Sequence, residues 1–152
     1  MTALDMRAVH RIVYPSDFSS ASRRAFQTAL GLAKTFHAQL LVVHVMSTLP
    51  VVPDGYVSPS IWDGLERGQR ATAQRQLGRL VARAKASGVR ASGTLLDVGV
   101  THEGIVRFAR AKRAGLIVMG THGRTGLTRA LLGSVAARVI ATARCAVMTV
   151  RA

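Results

Sequence analysis

Five short apolar runs recur along the chain at intervals too long for hairpins: Arg11 to Tyr14, Leu40 to Met46, Ala91 to Asp97, Leu116 to Met119 and Ala146 to Val150. Each is short and rich in valine, isoleucine and leucine, which is the pattern of strands buried on both faces. Between them lie stretches whose apolar residues repeat with helical spacing. Ser19 to Phe36 places Ala25, Phe26, Ala29, Leu30 and Ala33 on one face, with hydroxyls at its start to cap it. From about Arg70 to Ala86, Ala73, Leu77, Leu80 and Ala84 share a face opposite a stripe of Arg75, Arg79 and Arg83, and Gly88 supplies the stop. A third helix is expected over Thr101 to Lys112, burying Ile105, Phe108 and Ala109, and a fourth over Gly133 to Ala143, burying Val135, Val139 and Ile140.

The order is strand and helix in strict alternation. Right-handed crossovers return the chain to the same end of a sheet, so the expected fold class is α/β, a single-domain five-stranded parallel sheet over residues 1–152 with helices on both faces. At 152 residues and 49% apolar content the chain is large enough to close one core. No apolar run approaches the roughly 20 residues that cross a bilayer. The first residues, with Asp5, Arg7 and Arg11, lack the apolar stretch of an export signal, so a cytoplasmic address is expected. The segment from Ser47 to Pro59, with Pro50, Pro53, Pro59, Gly55 and Tyr56, reads as a loop leaving the carboxyl end of the second strand, placed to cover a ligand.

Charge and reactive side chains narrow the chemistry. Twenty-one basic against 7 acidic residues give a formal net charge of +14, which attracts nucleotides, nucleic acid and anionic surfaces alike. Specific nucleic-acid reading is disfavoured, since one Trp, two Tyr and four Phe offer little stacking surface and no reading helix is recognisable. The single Cys145 has no partner for an internal disulfide and reads as a packing residue. The histidines at 10, 37, 44, 102 and 122 include no pair at helical metal-site spacing, so no protein-only metal site is expected.

The most informative stretch is G-T-H-G-R-T-G-L-T-R-A-L-L-G-S-V, residues 120 to 135. It leaves the carboxyl end of the fourth run, where ligands settle in open parallel sheets. Gly120, Gly123 and Gly126 free the backbone to turn and let anionic oxygens approach main-chain N–H groups. Gly133 and Ser134 then open a helix whose unpaired N–H groups and positive dipole end hold phosphate. The lysine of a P-loop is absent, as is the G-x-G-x-x-G spacing of a dinucleotide fingerprint. Arg124 and Arg129 either supply the missing charge or point into solvent. Asp17, between Pro15 and Phe18 at the end of the first strand, is either a helix cap or an acceptor for ribose or base. His122 and Ser134 approach the same edge as Asp17, as a hydrolytic triad would. Without a G-x-S-x-G elbow, Ser134 is more simply an anion donor, and no catalytic residue is assigned.

Gly120, Gly123, Gly133 and Ser134 match G-x2-G-x9-G-[ST] without a gap, and the chain thereby resembles the universal stress protein family. I-V-Y-P-S-D-F-S at residues 12 to 19, L-V-V-H-V at 41 to 45 and L-I-V-M-G-T-H-G-R-T-G at 116 to 126 are similar to that family's first, second and fourth strands with their turns. The resemblance implies a flavodoxin-like or adenine nucleotide alpha hydrolase-like fold and a homodimer through the last strand. It also implies ATP as ligand, often with Mg2+ on the phosphates. By position it assigns Asp17 and the main chain of Val45 to adenine and ribose, with Pro15 shaping the turn. Gly120, Gly123, Gly133 and Ser134 take the phosphates, with Met119, His122, Arg124 and Val135 around them. Nucleotide occupancy would then regulate an unknown protein partner in a stress response, with slow ATP hydrolysis or phosphotransfer as the rival reading. The chain departs from the family pattern at Gly115, commonly acidic, and at Ala146, commonly proline, both of which bear on packing and on the last strand.

Overall fold

The computed structural model describes residues 9–46, 58–121 and 132–151. The elements alternate in chain order: β1 (Arg11–Pro15), α1 (Ser20–Thr35), β2 (Gln39–Val45), α2 (Pro59–Ala86), β3 (Ala91–Leu96), α3 (Thr101–Ala111), β4 (Leu116–Gly120), α4 (Ser134–Thr142) and β5 (Ala146–Val150). The five strands form one parallel sheet in the order β3-β2-β1-β4-β5. This is the sheet expected from the apolar runs.

Alternation along the strands divides the core into two layers. Ile12, Tyr14, Leu40, Val42, Leu116 and Val118 face α1 and α2, where Phe26, Ala29 and Leu77 meet them. Val13, Leu41, Val43, Ile117 and Met119 face the other way, onto Ile105, Ala109, Ala136 and Val139 of α3 and α4. Ser19 caps α1, its side chain accepting from the Ser22 N–H at 3.2 Å. Gly88 follows α2 at φ +82°, a conformation that a side chain would strain.

Two helical expectations need correction. The second helix begins not near Arg70 but at Pro59, eleven residues earlier, with Ser58 as its N-cap and proline in its first turn. Proline suits that position because its missing N–H has no intrahelical acceptor there. The added turns carry no continuous apolar stripe and include Gly64 and Gly68; Ile61 and Leu65 stand 58% and 52% exposed. Helical periodicity therefore had nothing buried to mark. In α4, Ile140 is 46% exposed although its neighbour Val139 is sealed. Successive helical residues point about 100° apart, and the narrow buried face of this short helix takes Ala136 and Val139 instead. Val135 and Phe108 are only half-buried. Arg75, Arg79 and Arg83 are exposed, as the stripe requires, and the Arg83 guanidinium also lies 5.5 Å from the centre of the Phe26 ring on α1.

Gly93 in β3 shows why helix and sheet approach closely here. A Cβ at that position would lie 2.8 Å from Leu77 Cγ and 3.0 Å from Val81 Cγ2 of α2. Gly93→Ala is expected to lower unfolding free energy by about 1–3 kcal/mol. Gly64→Ala, with nothing within 4 Å, should raise it by about 0.5–1 kcal/mol. Denaturant melts of both variants check this; equal effects would contradict the packing argument.

Candidate functional site

The strand order places β1 between β2 and β4, and the connections leaving β1 and β4 go to opposite faces of the sheet. A crevice therefore opens at the carboxyl ends of these two strands, the usual ligand position in such sheets. β1 and β4 pair at Val13 with Ile117. Two residues further along each strand come Pro15 and Met119, followed by Asp17 on one side and Gly120 on the other. On the far side of β1, Pro15 pairs with Val43, so the turn carrying Asp17 runs beside the end of β2 at Val45.

The β1–α1 turn is held from several directions. Ser16 N–H donates to Val43 O at 2.8 Å, and Ser19 N–H donates to Asp17 Oδ1 at 2.9 Å. Asp17 is thus a turn-former, while Ser19 is the cap. Phe18 adopts φ +63°, rare for a non-glycine residue, and is stabilised there by two contacts. Its N–H donates to Ser16 Oγ at 3.1 Å, and its ring stacks on His44 with centroids 4.3 Å apart. His44 Nδ1 in turn donates to Ser16 O at 2.7 Å, which fixes the ring.

Beneath the turn lies a buried polar corner. Tyr14 donates its hydroxyl to Ser22 O at 2.8 Å and lies 3.2 Å from Ser16 Oγ. Burial pushes the Tyr14 phenol above its ordinary 10.0, against the lowering effect of its hydrogen bonds with Ser16 and Ser22. Sequence reading missed this corner and the Phe18–His44 stack. The lone histidine in the apolar β2 run was the available signal, but a backbone held at positive φ by a ring leaves no pattern in the sequence.

The two halves of the glycine pattern meet across a single hydrogen bond. Gly133 N–H donates to Thr121 O at 2.7 Å, and Thr121 N–H donates to Val150 O at 3.0 Å. Gly120 and Ser134, fourteen positions apart in sequence, are thereby drawn to the same edge. α4 starts with Gly133 as N-cap in an extended conformation, with no side-chain cap hydrogen bond. The N–H groups of its first turn have no acceptor within the helix, as at any helix start, and Ser134 and Val135 lie in that turn. Of the residues assigned to a ligand, Pro15, Asp17, Val45, Met119, Gly120, Gly133, Ser134 and Val135 thus cluster at one sheet edge. His122, Gly123 and Arg124 lie outside the described residues, as do Gly126 and Arg129. Among the described residues no group of three or more His, Cys, Asp or Glu side chains is arranged to hold a metal ion.

Residues 8–151 match the model of the universal stress protein family, and the chain belongs to that family. It is 39% identical over 141 residues to universal stress protein MJ0531 of Methanocaldococcus jannaschii, covering 93% of this chain and 81% of that protein. Its fold superposes with a TM-score of 0.76 on a universal stress protein family structure from Burkholderia pseudomallei, at 34% identity over 97% of this chain and 98% of the other. A universal stress protein solved in complex with cAMP superposes with a TM-score of 0.68, at 25% identity over 94% and 97% of the two chains.

The Tyr14 phenol gives the corner a pH signature. A group whose folded pKa is raised contributes stability that is complete below its unfolded value and lost as pH rises through the folded one. The wild type should therefore lose stability above pH 10.0 more steeply than Tyr14→Phe. At neutral pH the variant should be weaker by about 1 kcal/mol for the lost hydrogen bond to Ser22. Denaturant melts across this range test the point, and a gap between the two proteins that stays constant with pH would refute it.

Proposed function

We propose that this chain is an ATP-binding regulatory protein whose nucleotide occupancy changes what it binds. The observation that carries the reading is the Gly133 N–H to Thr121 O bond at 2.7 Å, which joins the glycine turn after β4 to the uncapped start of α4 at the crevice beside β1. Main-chain N–H groups there suit phosphate: they are unpaired within the helix, they lie at its positive end, and Gly133 has no Cβ to crowd an oxygen. In this reading Asp17 on the adjoining turn accepts from ribose or base, together with the main chain of Val45. Gly123, Arg124 and His122 belong to the same motif and complete the phosphate loop in this reading. The relative solved with cAMP supports an adenine nucleotide as ligand.

Gly120, Gly133 and Ser134 would hold the phosphates, and any magnesium would be carried on the phosphate oxygens. What the ion supplies when bound is neutralisation of the triphosphate charge. In this reading the chain acts by binding, with slow ATP hydrolysis or phosphotransfer as the rival. Among the described residues β5 forms one edge of the sheet, with Met148 38% exposed, and offers its outer side to a second copy. A homodimer through that edge, working in the cytoplasm in a stress response, completes the proposal.

Calorimetry with ATP and magnesium tests the site. The wild type should bind one nucleotide per chain. Gly120→Val combined with Ser134→Ala should weaken it by about a hundredfold or more, each lost phosphate contact contributing about 1.5–3 kcal/mol. Absence of binding at millimolar ATP, or affinity untouched by the double substitution, would sink the reading.

A further inference from the structure

At the opposite end of α4 from the glycine pattern, a cleft of about 620 Å³ opens between α3 and the connection from α4 to β5. Its rim carries Arg107, Arg110 and Arg113 from α3 and its C-terminal turn, Arg144 from the α4–β5 connection, and Glu103. Its floor is apolar, built from Val106, Ala109 and Cys145. Burial pushes the Cys145 thiol above its ordinary value, so this part of the floor stays neutral. The volume falls within the range of small-molecule sites, roughly 300–1,000 Å³.

Arginines near helix C-termini often serve only to cap carbonyls. Here main-chain groups already do so for three carbonyls of α3 and one of α4. Phe108 O, Ala109 O and Arg110 O accept the N–H groups of Lys112, Ala114 and Arg113, and Val139 O at the end of α4 accepts that of Ala143. Among the described residues no carboxylate lies within ion-pair distance of the four cleft arginines; the ion pair found there is Arg70–Asp97, elsewhere on the fold. Four arginines, with His102, therefore line this cleft against one glutamate. Arg113, moreover, sits at φ +50°, just past the end of α3, where glycine is the ordinary and unstrained choice. The chain places a strained arginine there, with its side chain on the cleft.

We propose that this cleft binds a small organic anion: a phosphate or carboxylate group held by Arg110, Arg113 and Arg144, on an apolar body seated against Val106, Ala109 and Cys145. Guanidiniums converging from two elements suit an oxyanion, because each presents a planar fork of N–H donors. The apolar floor separates such a ligand from inorganic phosphate. The nine residues of α4 put the Arg144 end of the cleft about 13 Å from the glycine pattern. The inference does not rest on the adenylate reading.

The probe is 1-naphthyl phosphate, whose own fluorescence reports binding to the full-length chain, with and without saturating ATP. Binding should be saturable, stoichiometric and unchanged by ATP, and tighter than that of inorganic phosphate or 1-naphthol by about tenfold. Arg110→Ala and Arg144→Ala should each weaken it about tenfold, equivalent to about 1.4 kcal/mol. Arg75→Ala, which removes the same charge from the exposed face of α2, should leave it within about twofold. Arg113→Gly relieves the positive φ; it should keep or raise Tm while weakening the probe by about threefold or more. The proposal fails if Arg75→Ala matches the cleft variants, if inorganic phosphate binds as well as the probe, if ATP displaces the probe, or if Arg113→Gly leaves affinity intact.

Discussion

The parallel pairing of β1 with β2 on one side and β4 on the other is the interaction on which the rest of this molecule depends. With β1 central, its two faces are covered by different helix pairs, and its side chains must be apolar on both. Ile12 and Val13, adjacent in sequence, are both fully buried yet belong to opposite cores. The same arrangement makes the connection after β1 diverge from that after β4, which leaves a crevice between their ends. Fold and site thus follow from one placement.

At that crevice, main-chain groups do most of the positioning. Ser16 is tied to Val43 through its N–H, to His44 through its carbonyl and to Phe18 through its hydroxyl. Three contacts on one residue hold a turn that would otherwise relax, since Phe18 is held at an uncommon φ. On the other lip, Gly133 is tied to Thr121 and Thr121 to Val150, so the start of α4 is anchored to both β4 and β5. An edge built this way holds its backbone groups in fixed positions.

Much of this was legible in the residues. Among the described residues the five strands and helices α1, α3 and α4 lie where the apolar runs and their spacing put them, α2 does so from Arg70 onward, and Ser19 and Gly88 act at the helix ends as their types predict. The errors share a cause. The first turns of α2 were missed because they bury nothing, and Ile140 was assigned to the core because apolar spacing does not reveal how narrow a helix's contact face is. In the site, Asp17 was readable as a polar residue at a strand end. Its partner Ser19, the stacked pair Phe18 and His44, and the buried Tyr14–Ser22 bond were not, because each joins residues whose nearness depends on the turn itself.

Local chemistry alone determined which segments become strands and helices, where helices stop, and that glycines and Ser134 lie on a connection leaving the fourth strand. These properties depend on side-chain polarity, on branching and on the freedom of glycine, all of which act within a few residues. Tertiary structure decided the strand order, the meeting of Thr121 with Gly133, and the convergence of Arg144 with the arginines of α3 on one cleft. Such pairings join residues far apart along the chain. Their geometry is set by how a twisted sheet and its two helix layers pack, and no short stretch of sequence contains that information.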